Sequence, residues 1–76
     1  MRDLVLWLAR ELVERKDAVK VETIDRDRST IFELTVDPDD LGRVIGRGGR
    51  TAKAFRTVLD GAARRMGRRA VLDIID

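Results

Sequence analysis

Seventy-six residues, 43% apolar and 39% charged, suit one globular domain with a modest core, residues 1–76. Cysteine and histidine are both absent, which removes disulfides, thiolate chemistry, the usual zinc ligands and the commonest general base; neither a cofactor, a metal site nor an enzyme is expected. The net charge of +2 hides an asymmetry: residues 1–40 carry seven Lys/Arg against eleven Asp/Glu (−4), and residues 41–76 carry nine against three (+6).

The first segment, Asp3 to Lys16, has the spacing of a helix. Leu4, Val5, Leu8, Leu12 and Val13 make one apolar stripe, with Asp3 as N-cap and Arg15 and Lys16 in the last turn. Trp7 flanks the stripe and is expected to pack. The apolar start is too short and too soon interrupted by Glu11, Glu14 and Arg15 for a signal peptide or membrane span, so a cytoplasmic location is expected. Val19 to Asp25 alternates with Val19, Val21 and Thr23 on one face. Thr30 to Val36 alternates with Phe32, Leu34 and Val36 on one face. The short turn Arg26-Asp27-Arg28-Ser29 between them predicts an antiparallel pair.

Asp37-Pro38-Asp39-Asp40 signals a helix start: an amide-capping aspartate, a proline suited to the first position, and two acids opposing the positive helix end. This short helix runs to about Ile45, where Gly46 stops it. A second begins near Gly49 or Arg50 and reaches about Met66, with Ala52, Phe55, Leu59, Ala62, Ala63 and Met66 as its core stripe. Gly67 ends it, and Ala70 to Ile75 forms a third strand. The order α-β-β-α-α-β predicts an α+β fold, helices on one face of a small sheet, with the second and third strands parallel neighbours.

The chemistry concentrates at the turn between the last two helices. Gly46, Gly48 and Gly49 fall within four positions, more glycine than a tight turn needs, as though the backbone must lie against something. The free amides and positive dipole end of the following helix point into the same space. Arg43, Arg47, Arg50, Lys53 and Arg56 surround it with no acid between Arg43 and Arg56. A basic run can be merely a solvated helix face; beside exposed amides it points to a phosphodiester backbone. A Walker A loop fails here, because Val44 stands where its first glycine belongs and Arg50 replaces its lysine. A dinucleotide fingerprint fails because Thr51 replaces its last glycine and a helix, not a strand, precedes the turn.

Val44-Ile45-Gly46-Arg47-Gly48-Gly49 resembles the V-I-G-x-x-G signature of KH domains, and the element order resembles the type II variant, with a three-stranded mixed sheet. The likeness spans nearly the whole chain and extends to the small stand-alone bacterial KH proteins. It implies single-stranded RNA clamped at the Gly-x-x-Gly loop, in the service of RNA chaperoning or post-transcriptional regulation. Carried over to this sequence, the RNA-binding residues are Gly42, Arg43, Ile45, Gly46, Arg47, Gly48, Gly49, Arg50 and Lys53. Ile45 is either core or groove floor. Ala52 departs from the larger aliphatic residue common in the family, which implies a smaller apolar floor and weak base selectivity. Phe55 is expected in the core, so base stacking should not dominate.

The resemblance also implies self-association and pairing with a larger KH-containing protein of the KhpB (Jag) type. Ala54, Val58 and Gly61 form a small uncharged shoulder that is either the dimer interface or an extension of the core contact. Two other classes stay open on the residues alone: a DNA-binding helix-turn-helix, and a protein-interaction subunit without RNA binding of its own.

Overall fold

The computed structural model describes all 76 residues, Met1–Asp76. The elements are α1 (Arg2–Leu12), β1 (Lys20–Arg26), β2 (Ser29–Thr35), α2 (Leu41–Ile45), α3 (Arg50–Arg65) and β3 (Arg69–Ile75), with 3-10 turns at Lys16–Ala18, Pro38–Asp40 and Arg47–Gly49. The sheet order is β1-β2-β3; β1 and β2 are antiparallel, and β2 and β3 are parallel. The fold is therefore the expected α+β arrangement in the order α-β-β-α-α-β. No helix is long and apolar enough to cross a membrane.

Alternation along the strands sorts residues to two faces. Val21, Phe32, Leu34 and Leu72 turn inward and meet Val5 and Ala9 of α1, Val44 of α2 and Phe55 and Leu59 of α3 in one core. Leu59 is 1% exposed, so its burial contributes about 1.5–3 kcal/mol, a large share of what a domain this small can hold. The opposite face carries cross-strand rows fixed by the register. Glu22, Glu33 and Asp73 make an acidic row, Ile24, Ile31 and Val71 an apolar one, and Arg26, Ser29 and Arg69 a third.

Four readings of the sequence need correction. First, α1 ends at Leu12, not Lys16. Val13 is extended, and the amides of Glu14 and Arg15 donate to the Asp40 carboxylate instead of continuing the helix. Lys16 Nζ still reaches back to the carbonyls of Arg10 (2.6 Å) and Val13 (2.9 Å), satisfying groups that the helix end leaves free. Second, Met1 and not Asp3 is the N-cap; Asp3 lies in the first turn, where its charge still opposes the dipole.

Third, Trp7 is 60% exposed rather than packed. It follows the buried Val5 by two residues, about 200° round the helix, and so points to solvent. Fourth, Met66 is 61% exposed rather than part of the core stripe. It sits past the last turn of α3, beside an open cleft of about 520 Å³ that also reaches Met1, Thr23 and Phe32. The same cleft leaves Thr23 exposed although Val19 and Val21 are buried. The stop after α3 follows the sequence signal. Gly67 adopts φ 68°, its amide donates to Arg64 O (3.0 Å), and that of Arg68 donates to Ala63 O (2.9 Å), a Schellman closure.

Candidate nucleic-acid interface

The start of α2 is built by acids. The Asp37 carboxylate accepts from the Asp39 amide at 2.9 Å, as its position before Pro38 predicts. Asp40 has a second role that its sequence context does not show. It is 1% exposed, the sole buried charged residue, and accepts from the amides of Arg15 (3.0 Å) and Glu14 (3.2 Å) while Arg43 Nε lies 3.3 Å away. The Arg15 amide bond, reinforced by that of Glu14 and by the Arg43 and Arg15 charges, holds its pKa below the ordinary 3.8 against the opposing pull of burial. One carboxylate thus pins the end of α1 to the start of α2.

Arg43 also pairs with Glu14, and Arg15 pairs with Asp37 and Asp39. These exposed pairs are each worth only about 0–1 kcal/mol, but they decide the local field. The acids around the start of α2 are matched by Arg15 and Arg43, which leaves the turn ahead of them positive. Arg47, Arg50 and Lys53 are exposed and make no ion pair or side-chain hydrogen bond.

The chain leaves α2 at Gly46, with φ 77° and ψ 171°, a region open essentially to glycine alone. A β-carbon there would also lie 2.7 Å from Thr51 Cβ and 2.8 Å from Thr51 N, so Gly46 is required twice, by backbone and by packing. Gly48 and Gly49 are left-handed too, at φ 63° and 78°, but the space beside each is open. Gly48 and Gly49 therefore leave backbone uncovered by side chains, although the amides of Gly49 and Arg50 bond back to Gly46 O and Arg47 O. No side chain caps the N-terminus of α3 and no acid lies in its first turn. Sixteen residues of aligned dipoles end there, equivalent to roughly half a positive charge.

The nine sequence-derived candidates fall in three groups. Gly46, Arg47, Gly48, Gly49, Arg50 and Lys53 converge on the turn and the first turn of α3. Gly42 and Ile45 lie on the exposed side of α2; Ile45 is 37% exposed, and nothing lies within 4 Å of where a Gly42 β-carbon would be. Arg43 is drawn toward Asp40 and Glu14. Ala52 and Phe55 belong to the interior, each 4% exposed.

Two residues take places that the sequence did not show. Thr51 fills the space under Gly46, and a hydroxyl residue two places after the last loop glycine was the available clue. Arg56 crosses from α3 to donate to Leu72 O (3.2 Å) on β3, which carries no strand beyond it. It blunts that edge and links the basic side of α3 to the sheet. Only the tertiary placement of β3 shows this. No group of three or more Asp or Glu side chains is arranged to hold a metal ion.

Ala54 and Val58 lie along a shallow groove of about 180 Å³ between α1 and α3, with Leu8, Leu12 and Phe55. Val58 is 48% exposed, and Gly61 lies further along the outer side of α3 with open space beside it.

Comparison with known proteins agrees with this architecture. A crystal structure of Aquifex aeolicus Era bound to GDP.AlF4- superposes with a TM-score of 0.63 at 19% identity, over 96% of this chain and 28% of that one, a likeness of fold alone. RNA-binding protein KhpA of Halalkalibacterium halodurans is 50% identical over 76 residues, all of both chains. That of Aquifex aeolicus is 45% identical over all of this chain and 96% of its own, and that of Mycobacterium tuberculosis 46% identical over 97% and 89%. The family model described as "KhpA/KhpB, KH domain" matches residues 2–74. With the Gly-x-x-Gly turn, the mixed three-stranded sheet and full-length relatives all in agreement, the chain belongs to the KhpA/KhpB family of KH domains.

Proposed function

We propose that this protein binds single-stranded RNA at the Gly46–Gly49 turn. The observation that carries the reading is the uncapped N-terminus of α3, open to solvent and ringed by three unpaired cations with no acid in its first turn. The positive end of α3 stabilises a phosphate at this place, and Arg47 and Arg50 add charge-assisted bonds. Gly42 lets bases approach α2, Ile45 supplies an apolar contact, and Lys53 extends the positive rim. Arg43 borders the site from its ion pairs. The acidic row Glu22, Glu33 and Asp73 keeps the strand off that part of the open sheet face. That the full-length relatives are named RNA-binding proteins supports the same reading.

Three or four phosphate contacts bind weakly, with a salt slope of roughly −0.7 per contact, so pairing of domains would raise the effective affinity. The groove beside Ala54, Val58 and Gly61 is the surface we assign to pairing, with a second copy or with a KhpB (Jag)-type protein. Such a pair would act in the cytoplasm as an RNA chaperone or post-transcriptional regulator, without catalysis.

The test is the double variant Arg47→Asp with Gly48→Asp, assayed by filter binding against single-stranded RNA and duplex DNA. Gly48 has open space and a left-handed backbone that aspartate tolerates better than most residues. The variant should keep its circular dichroism spectrum and lose RNA binding. Unchanged RNA affinity, or a preference of the native chain for duplex DNA, would refute the reading.

A further inference from the structure

We infer that the end of the molecule opposite the glycine turn carries a second contact for the same RNA strand, made by Arg26, Arg28, Arg64, Arg65 and Arg69. The inference rests on the RNA-binding reading above and extends the path of the strand. These residues come from two segments more than thirty positions apart, and only folding joins them. Arg26 and Arg69 flank Ser29 in one cross-strand row, and the Arg69 amide donates to Arg28 O at 2.8 Å. Arg64 and Arg65 end α3, two residues before the bonded turn that leads into β3.

Arg68 is the clamp that assembles this end rather than part of its free charge. Its guanidinium donates to Ser29 O and Thr30 Oγ1, both at 3.0 Å, and lies 3.4 Å from Asp25. Asp25 is thereby engaged. The other five guanidiniums are exposed and form no ion pair or hydrogen bond. Asp27 and Asp60 are the remaining acids nearby, so positive charge dominates. Such crowding is not free: like charges gathered at one end of the fold repel. Arg64 and Arg65 alone find compensation, at the negative end of α3. A polyanion relieves the rest.

The two basic ends are separated by α3, sixteen residues or about 24 Å of helix. A stacked strand advances roughly 3.4 Å per phosphate, so about seven nucleotides would bridge them beyond the roughly four clamped at a Gly-x-x-Gly loop. An oligonucleotide of about four should therefore read the turn alone, and one of about twelve should read both ends.

The experiment measures both lengths against the native chain, the triple variant Arg28→Gln, Arg65→Gln, Arg69→Gln, and the matching triple lysine variant. The native chain should bind the longer strand more tightly. The glutamine variant should lose about tenfold on it, with a salt slope shallower by about 2, and stay within about twofold on the short one. Lysine should restore most of the loss, and retained binding of the short strand shows that the variants fold. An unchanged length advantage in the glutamine variant overturns the second contact while leaving the turn intact. Polyglutamate is measured in parallel as an acidic-peptide probe, and a glutamine variant that loses polyglutamate binding while keeping normal binding of the longer RNA overturns the second contact in favour of an acidic protein. If the native chain binds neither strand, the RNA reading itself falls, and this one with it.

Discussion

The Thr51 side chain fills the space that a β-carbon on Gly46 would need, so the turn between α2 and α3 is locked by one contact within five residues. Gly46→Ala should therefore destabilise the domain by about 1–3 kcal/mol in urea unfolding and weaken RNA binding with it, because it meets both a forbidden backbone region and a filled space. Gly42 is the counter-case. It sits inside α2 with nothing nearby, so Gly42→Ala should stabilise by about 0.5–1 kcal/mol while lowering RNA affinity. A Gly42→Ala variant that is both more stable and undiminished in RNA binding would remove α2 from the contact surface.

Asp40 gives the protein an acid-sensitive joint. Its folded pKa is depressed, so the stability it contributes is present above its ordinary value of 3.8 and is lost as pH falls through the lower folded value. Asp40→Asn should lower the urea midpoint at neutral pH, and the gap from the native chain should narrow as pH drops below about 3.8. A gap of equal size at both ends of that range would show that shape, not charge, holds α1 to α2.

The exposed Val58 tests the proposed pairing surface. Val58→Asp adds a charge to the apolar groove without touching the core, so self-association should weaken while unfolding changes by no more than about 0.5 kcal/mol. Sedimentation of the variant as the same species as the native chain would place the interface elsewhere.

Leu59 and Met66 separate the two ends of α3. Leu59→Ala removes a side chain 1% exposed and should cost about 2–5 kcal/mol; Met66→Ala, at 61% exposed, should stay within about 0.5 kcal/mol. Thermal melts of the two variants side by side check the ordering.

Local pattern was enough to read all six main elements, the parallel return of β3 and the turn that carries the proposed function. Alternation, helical spacing and glycine at Gly46 and Gly67 act over a few residues, and they held wherever no distant group competed. Phe32, Leu34, Phe55 and Leu59 were legible as core for the same reason. The misses lie where a distant group outcompeted a local one. Helical spacing carried α1 on to Lys16, but the Asp40 carboxylate, 25 positions beyond Arg15, takes the amides that another turn would have used. Met66 continues the core stripe in spacing only: it lies past the last turn of α3, beside the open cleft that reaches Met1 and Thr23.

The proposed RNA site divides in the same way. Its glycines and cations were visible in order along the chain, since backbone freedom and charge belong to each residue alone. Which cations remain free was decided only in three dimensions: Arg43 lies beside Asp40 and Glu14, Arg56 on the β3 edge, and Arg47, Arg50 and Lys53 keep their charge for a ligand. The arginines at the far end come from segments of opposite net charge, and only the register of β1, β2 and β3 sets them side by side. Sequence determines what each residue can do; the tertiary structure decides which partner it meets, because hydrogen bonds and ion pairs are short-ranged and the chain is not.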